Sequence, residues 1–460
     1  MNNNEPETMV TCARPLARAV AAGLACLSAA GWIAPASANV VTEFNAIALT
    51  CLSRPGPGSI IDLALVQVAV HDAIQAIEQR YETYRPTSPA TGSKAAAAAA
   101  AAYRMLSDNG ICAPPAPPGV DPQGALDALF KPYLDGNDAG LSVGYAAADR
   151  MLAEVALRPA TATVPPYLGS TNVGQWRPTP PGNLPMSFVY LATTKPLVMS
   201  SPSQFRPGPP PAVTSDRYTK DYNEVKAKGS TLSHPATGAC PAPADTDTAR
   251  FYSGNFGAQW NQVGRDLAIA RQLGLGDTAR LLALANLAAA DAAIGVWESK
   301  VYYNYWRPIT AIHNGNDDGN NKTAGNAAWV PFIGGAHFPS NTNLALTSQN
   351  PPYPDYVSGA NGLTGAFMAM FQLYFHTDVV PFAVNKAVPA SVPICTNPRL
   401  YRRFSDAAED VVDARIWLGI HFRFADTAAR TLGTRVAWNT FTTALRPKHP
   451  GWHDFGSHDD

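Results

Sequence analysis

Wherever this chain shows a readable hydrophobic period, the period is that of an α-helix. Alternation of apolar and polar residues, the mark of a half-buried strand, never holds for more than a few residues, and no fixed-length repeat runs along the sequence. Ile61, Leu65, Val68, Ile74 and Ile77 recur at three- and four-residue spacing after Pro57 and Gly58, which predicts a helix over 60–77. A second is expected from about Lys94 through the alanine run 95–102 to Met105. Others are expected over roughly 121–134, 142–156, 245–273, 278–306, 342–348, 363–375, 398–418 and 427–445. Prolines, 41 in 460 residues and nearly double the usual share, gather between these stretches, above all in a Pro-, Ser- and Thr-rich tract over 159–219. A chain this long exceeds one ordinary compact core. The fold class expected is therefore all-α: two helical bundles, 39–158 and 245–460, packed together, with a Pro-rich crossover over 159–244 and long connecting loops.

Charge and cysteine usage narrow the partners and the compartment. With 34 Lys and Arg against 35 Asp and Glu, there is no broad basic surface to neutralise a phosphate backbone, and nucleic acid is not an expected partner. At the amino terminus, Arg14 and Arg18 precede an apolar stretch, 19–33, and Pro35-Ala36-Ser37-Ala38 supplies a small-residue cleavage pattern. Residues 1–38 therefore read as a signal peptide, and the mature chain as exported, periplasmic or secreted. Glu5 and Glu7 lie ahead of the arginines, so Met9 is an alternative start. No later stretch approaches about 18 uninterrupted apolar residues, and no membrane span is expected after cleavage. The mature chain would keep Cys51, Cys112, Cys240 and Cys395, widely spaced and without Cys-x-x-Cys. That pattern argues against zinc and is compatible with two disulfides in an oxidising compartment, the pairing left open.

Three clusters carry candidate chemistry. Lys300 and Arg307 stand seven apart in a run rich in Trp and Tyr that ends at Pro308. Seven helical steps return almost to the starting angle, so both cations are expected on one helical face two turns apart, half of an oxyanion clamp. On spacing alone they are two ordinary surface charges; the surrounding Trp297, Tyr302, Tyr305 and Trp306 argue against that, being apolar bulk around a pair that would otherwise be solvated. Next, Pro339-Ser340-Asn341-Thr342 reads as a turn opening a helix, where Ser340 and the following N–H groups make an anion site or a plain N-cap. Finally, Gly419 can end the helix carrying Arg415 and turn the chain so that His421 faces the same place, although a histidine among aromatics is commonly structural.

Together these clusters resemble the superfamily of vanadium-dependent haloperoxidases and type 2 phosphatidic acid phosphatases. Its signature is Lys-x6-Arg-Pro, then Pro-Ser-Gly-His, then Ser-Arg-x5-His with an acid four positions beyond. The first element is matched in full by Lys300 to Pro308. Its flanks, with Asn39 to Asn45 and Val68 to Ile74, are similar to the bacterial chloroperoxidase-type branch, and the resemblance covers most of the mature chain. It implies that Lys300, Arg307 and Arg415 neutralise the oxygens of bound vanadate, assisted by Ser340 and the Asn341 N–H. His421 would supply the nitrogen bound to vanadium, or the nucleophile in a phosphatase. Hydrogen peroxide and a halide or small organic substrate would be the partners, with Trp297 as a halide-side aromatic; a homo-oligomer is compatible with this.

Three departures bear on activity. The position of the acid/base histidine falls on Thr342, which cannot titrate near neutral pH, and losing such a group forfeits about 10²- to 10⁴-fold in rate. His337, three residues before Ser340, is a candidate substitute. Ala414 replaces the Ser before Arg415, and the acid beyond His421 comes one residue late, at Asp426, which would orient the imidazole only if it reaches Nδ1. Weakened halide oxidation, a phosphatase using His421 and a non-catalytic phosphate- or vanadate-binding homologue all stay open.

Overall fold

The computed structural model describes residues 38–52, 56–108, 111–112, 121–158, 166–235, 238, 240–334, 350–390 and 392–449. The first helix, α1 (Val40–Cys51), starts on a reciprocal cap: the Asn39 side chain accepts from the Val41 and Thr42 N–H groups while Thr42 Oγ1 accepts from the Asn39 N–H. Four more follow: α2 (Gly58–Glu78), the alanine-rich α3 (Lys94–Ser107), α4 (Pro122–Gly136) and α5 (Gly140–Ala156). The alanine run lets α3 and α5 close tightly, since a Cβ at Gly144 would stand 2.3 Å from the Ala97 carbonyl oxygen.

The second half holds α6 (Asp216–Lys228), α7 (Ala244–Phe251), α8 (Phe256–Ala270), α9 (Leu275–Tyr303), α10 (Pro308–His313), α11 (Gly359–Phe375), α12 (Phe404–Trp417) and α13 (Arg423–Thr443). Helix α9 is the axis of the molecule, packing on α2, α8, α11 and α13. Both α2 and α9 have the length and apolarity of a membrane span, yet both are buried inside the protein, as core helices apolar on every side must be. Several of their buried polar groups are paired. Asn45, Asn261 and Asn286 hydrogen-bond in a chain linking α1, α8 and α9, and Asp291 on α9 accepts from the N–H groups of Leu197, Val198 and Met199.

Among the described residues, one continuous hydrophobic core extends from Val40 to Leu445. Trp176, Met186, Leu191, Leu197 and Met199 of the Pro-rich tract are buried in that core. Two disulfides pin the chain: Cys51 to Cys112, and Cys240 to Cys395.

The all-α reading needs four local corrections. Helix α6 lies partly within the tract read as irregular, initiated by Ser215, whose hydroxyl accepts from the Tyr218 N–H. An antiparallel hairpin, β1 (Val379–Val384) with β2 (Arg399–Arg403), precedes α12, so the helix expected from 398 begins at 404. The helix expected over 245–273 is broken into α7 and α8 near Gly254, where any Cβ would stand 2.1 Å from the Ala387 carbonyl oxygen. And the helix expected to 306 ends at Tyr303, because Asn304 takes the left-handed conformation (φ 46°, ψ 44°). The helix expected over 342–348 lies outside the described residues.

Candidate anion site

Asn304 reverses the geometry expected for the first cluster. Lys300 is in the last turn of α9, whereas Arg307 is extended (φ −83°, ψ 157°) and caps α10, with Pro308 at its first position, where a missing N–H costs nothing. The two cations thus converge from successive helices and do not share one face. Both are fully buried.

A single segment ahead of α11 holds them. Lys300 Nζ donates to the Pro354 carbonyl at 2.6 Å and to that of Asp355 at 3.2 Å, and Arg307 Nε donates to the Tyr353 carbonyl at 2.7 Å. The Tyr353 ring lies over both cations, its centroid 4.9 Å from Lys300 Nζ and 4.9 Å from Arg307 Cζ. Trp297, one turn before Lys300, packs on Tyr353 at 5.1 Å and donates through Nε1 to the Ser187 carbonyl.

The third cluster arrives as the sequence suggests. Helix α12 ends after Arg415, and Gly419 (φ +77°) turns the chain; a Cβ there would stand 2.2 Å from the Gly229 carbonyl oxygen. His421 follows, buried beside the cations. Arg307 Nη1 donates to the Ile420 carbonyl at 2.7 Å and lies 3.4 Å from His421 Nε2, while His421 Nδ1 lies 2.7 Å from Asp355 Oδ1. Arg415 Nη1 donates to the Tyr252 carbonyl at 3.1 Å.

Lys300, Arg307, Arg415 and His421, far apart in sequence, are therefore brought together. Burial holds the pKa of Lys300 well below its ordinary value, and Arg307 and Arg415 push it further down. Burial and the same cations hold His421 down, and burial lowers Arg415 to about 10. Two carboxyls share the space, both shifted upward chiefly by burial, Asp355 to about 7 and Asp426 well above its usual range. Arg307 Nη2 and Arg415 Nε are buried donors without an acceptor among the described residues. Three cations, two reluctant carboxylates and unmatched donors make a pocket short of negative charge. A tetrahedral oxyanion fits that deficit in charge and hydrogen-bonding type.

Asp426 does not orient His421. Its Oδ1 accepts from Asn361 Nδ2 at 2.8 Å, and the imidazole is held by Asp355 instead. With Ala425 ahead of it in the first turn of α13, which begins at Arg423, Asp426 faces Asn361 of α11. His337, Ser340, Asn341 and Thr342 lie outside the described residues. At the site itself, Ser358 caps α11: its hydroxyl is buried beside the Asp426 carboxyl without a well-formed hydrogen bond, and the first-turn N–H groups of Gly359 and Ala360 point out of the helix end. A Cβ on Gly359 would touch the Trp297 ring at 3.4 Å.

Sequence reasoning missed Asp355, Ser358 and Tyr353. A signal existed: Ser358-Gly359 is the one Ser-Gly pair between Lys300 and Arg415, and it stands in the chain order of the signature. Pro339-Ser340 matches the signature more closely in one respect, since it retains the proline that Val357 replaces ahead of Ser358.

Comparison with known proteins agrees with this architecture. Residues 280–449 match the family model described as the VCPO second helical-bundle domain. The vanadium chloroperoxidase of Curvularia inaequalis is 27% identical over 213 residues, 38% of this chain and 34% of that protein, so the match spans about a third of the relative's length. Among solved structures, a bacterial vanadium-dependent iodoperoxidase superposes with a TM-score of 0.69 at 21% identity, covering 89% of this chain and 97% of the other. The holo form of a bacterial vanadium-dependent chloroperoxidase gives 0.65 at 16% identity, covering 89% and 98%. The described chain thus shares its fold with these vanadium-dependent haloperoxidases, and its residues 280–449 match the model of the VCPO second helical-bundle domain.

Proposed function

We propose that this protein binds vanadate in the pocket of Lys300, Arg307, Arg415 and His421 and carries out peroxide-dependent halide oxidation at reduced efficiency. The observation that carries the reading is the pair of buried, unmatched donors, Arg307 Nη2 and Arg415 Nε, beside a fully buried Lys300. Leaving such donors unpaired costs about 1–3 kcal/mol each, more for charged groups, and an oxyanion would recover it. The relatives named above are vanadium enzymes, which supports vanadate as the anion.

In this reading Lys300, fixed by two carbonyls, and Arg307, fixed by two more, present preset charge to the oxyanion; Arg415 closes the clamp, and Ser358 with the α11 amino end donates from the side. His421 offers the Nε2 lone pair. Trp297 and Tyr353 wall the pocket where halide would approach. Vanadate, when bound, would supply the activation of peroxide for two-electron oxidation of halide. The Ser-Gly element of the signature is then Ser358-Gly359, and the residue in the histidine position is Ala360 in place of Thr342. Either way no imidazole stands there, and the rate loss from a missing acid/base group follows.

A non-catalytic binder is the second reading, favoured by that same Ala360. Halide oxidation with orthovanadate and peroxide, run beside vanadate titration calorimetry, separates the two. Turnover that vanishes in His421→Ala supports the enzyme. Tight binding without turnover supports the binder, and no vanadate binding defeats both. Hydrolysis confined to activated aryl phosphates would instead indicate a phosphatase lacking its acid. We further propose that the chain is exported, a reading that the two disulfides support.

A further inference from the structure

Two contacts bear on the tautomer of the His421 ring. A guanidinium has donors and no acceptor, so with Arg307 Nη1 3.4 Å away, Nε2 is the lone-pair nitrogen. The remaining nitrogen, Nδ1, must then carry the proton, and it faces Asp355 Oδ1 at 2.7 Å. No other side chain hydrogen-bonds the ring among the described residues, and Asp426, the acid beyond the histidine, is engaged by Asn361. Asp355 is fully buried, so its carboxylate has no competing solvent, and its position is dictated by the segment whose carbonyls seat Lys300 and Arg307.

We propose that Asp355 is the positioning residue of this site, holding His421 as the Nδ1–H tautomer so that the Nε2 lone pair faces the anion, a duty transferred from the helix after the histidine to the segment before α11. The inference rests on the vanadate reading above and deepens it. A carboxylate behind a ligating imidazole fixes the tautomer, orients the ring and raises its basicity, and removing one typically weakens metal binding 10- to 100-fold. Because Asp355 would act through the His421 nitrogen that would hold vanadate, its removal should weaken vanadate more than inorganic phosphate, which would be held by the cations alone.

The experiment compares wild type with Asp355→Ala, Asp355→Leu and Asp355→Asn. Nitrogen-15 spectra of the His421 ring are recorded without added anion, and vanadate and inorganic phosphate affinities are then measured by calorimetry. The proposal expects a protonated Nδ1 and unprotonated Nε2 in the wild type, and loss of that pattern in the Ala and Leu variants. Vanadate should weaken 10- to 100-fold in both, with phosphate changed less than about threefold. Asn, which keeps an acceptor oxygen, should restore much of the tautomer signal. Leu fills the carboxyl volume and decides the matter if the Ala variant does not fold. An unchanged tautomer in the Leu variant, or equal loss of both anions, would overturn the proposal, the second by showing a merely structural role. A wild type that binds no vanadate would sink the functional reading alone, since the ring spectra still test Asp355 directly.

Discussion

At Ala360 the side chain stops at Cβ, on the first turn of α11, just after the segment whose carbonyls hold Lys300 and Arg307. A histidine there would stand beside Ser358 and within reach of an anion held by the clamp. Ala360→His is therefore expected to raise vanadate-dependent halide turnover by about 10²-fold or more, the ordinary yield of a positioned acid/base group, with vanadate affinity changed little. Steady-state rates and calorimetry on the two proteins check it; a variant that binds vanadate and gains no rate would show that the deficit lies elsewhere. Residue types of this kind were partly legible in advance. Lys300, Arg307, Arg415 and His421 could be picked because their spacings are fixed by a known pattern. Asp355 and Ser358 could not, because they sit in an irregular segment, Pro351 to Val357 and its junction with α11, where no period marks which side chains point inward. Asp426 was picked for its place after His421, but what it touches depends on how α11 packs against α13, which its neighbours in sequence do not report.

Helix ends place this site. Asn304, Gly419 and Ser358 terminate or begin α9, α12 and α11 at the points from which Lys300, Arg307, His421 and the α11 N–H groups converge. Gly419 was readable as a stop because glycine after a helix carrying Arg415 is a recurrent ending. Asn304 was not, since an apolar aromatic run continues straight through it to Trp306 and the helical period shows no break. The hairpin β1–β2 was equally hidden: two short strands, one of them the charged run Arg399–Arg403, give no alternation long enough to recognise. Gly419→Ala tests the importance of a helix end directly. The positive φ alone costs about 1–2 kcal/mol for an L-residue, and the added Cβ meets the Gly229 carbonyl oxygen at 2.2 Å, so the loop must move. Denaturant melts should show destabilisation of at least that size, and vanadate affinity should fall with it because His421 lies two residues on. Retained affinity in a destabilised variant would mean that the loop relaxes away from the site.

At the scale of the whole molecule, burial of titratable groups in the helical core ties stability to pH. His71 and Asp72 are consecutive on α2 and fully buried. Burial raises Asp72 to about 7, against the opposing pull of the Tyr84 and Arg85 N–H groups, which donate to its two oxygens at 2.8 and 2.9 Å. Burial lowers His71 to about 4. The two act in opposite senses over one window. Asp72 binds its proton more tightly folded than unfolded, so its contribution is full below about pH 4 and disappears as pH rises through about 7. His71 binds its proton less tightly when folded, so its contribution is full above about 6.5 and disappears as pH falls through about 4. Their slopes oppose each other in the wild type. Asp72→Asn removes the first slope and leaves the second, at the constant cost of one carboxylate acceptor replaced by an amide that cannot serve both N–H groups. Thermal melts of the two proteins between pH 4 and pH 7 should diverge toward acid, the wild type gaining on the variant by a few kcal/mol, since each tenfold difference in proton affinity between folded and unfolded chain is worth about 1.4 kcal/mol. All other titrating groups are common to both proteins and cancel in the difference. Parallel curves would mean that Asp72 is ionised throughout, held so by its two N–H donors against the cost of burial.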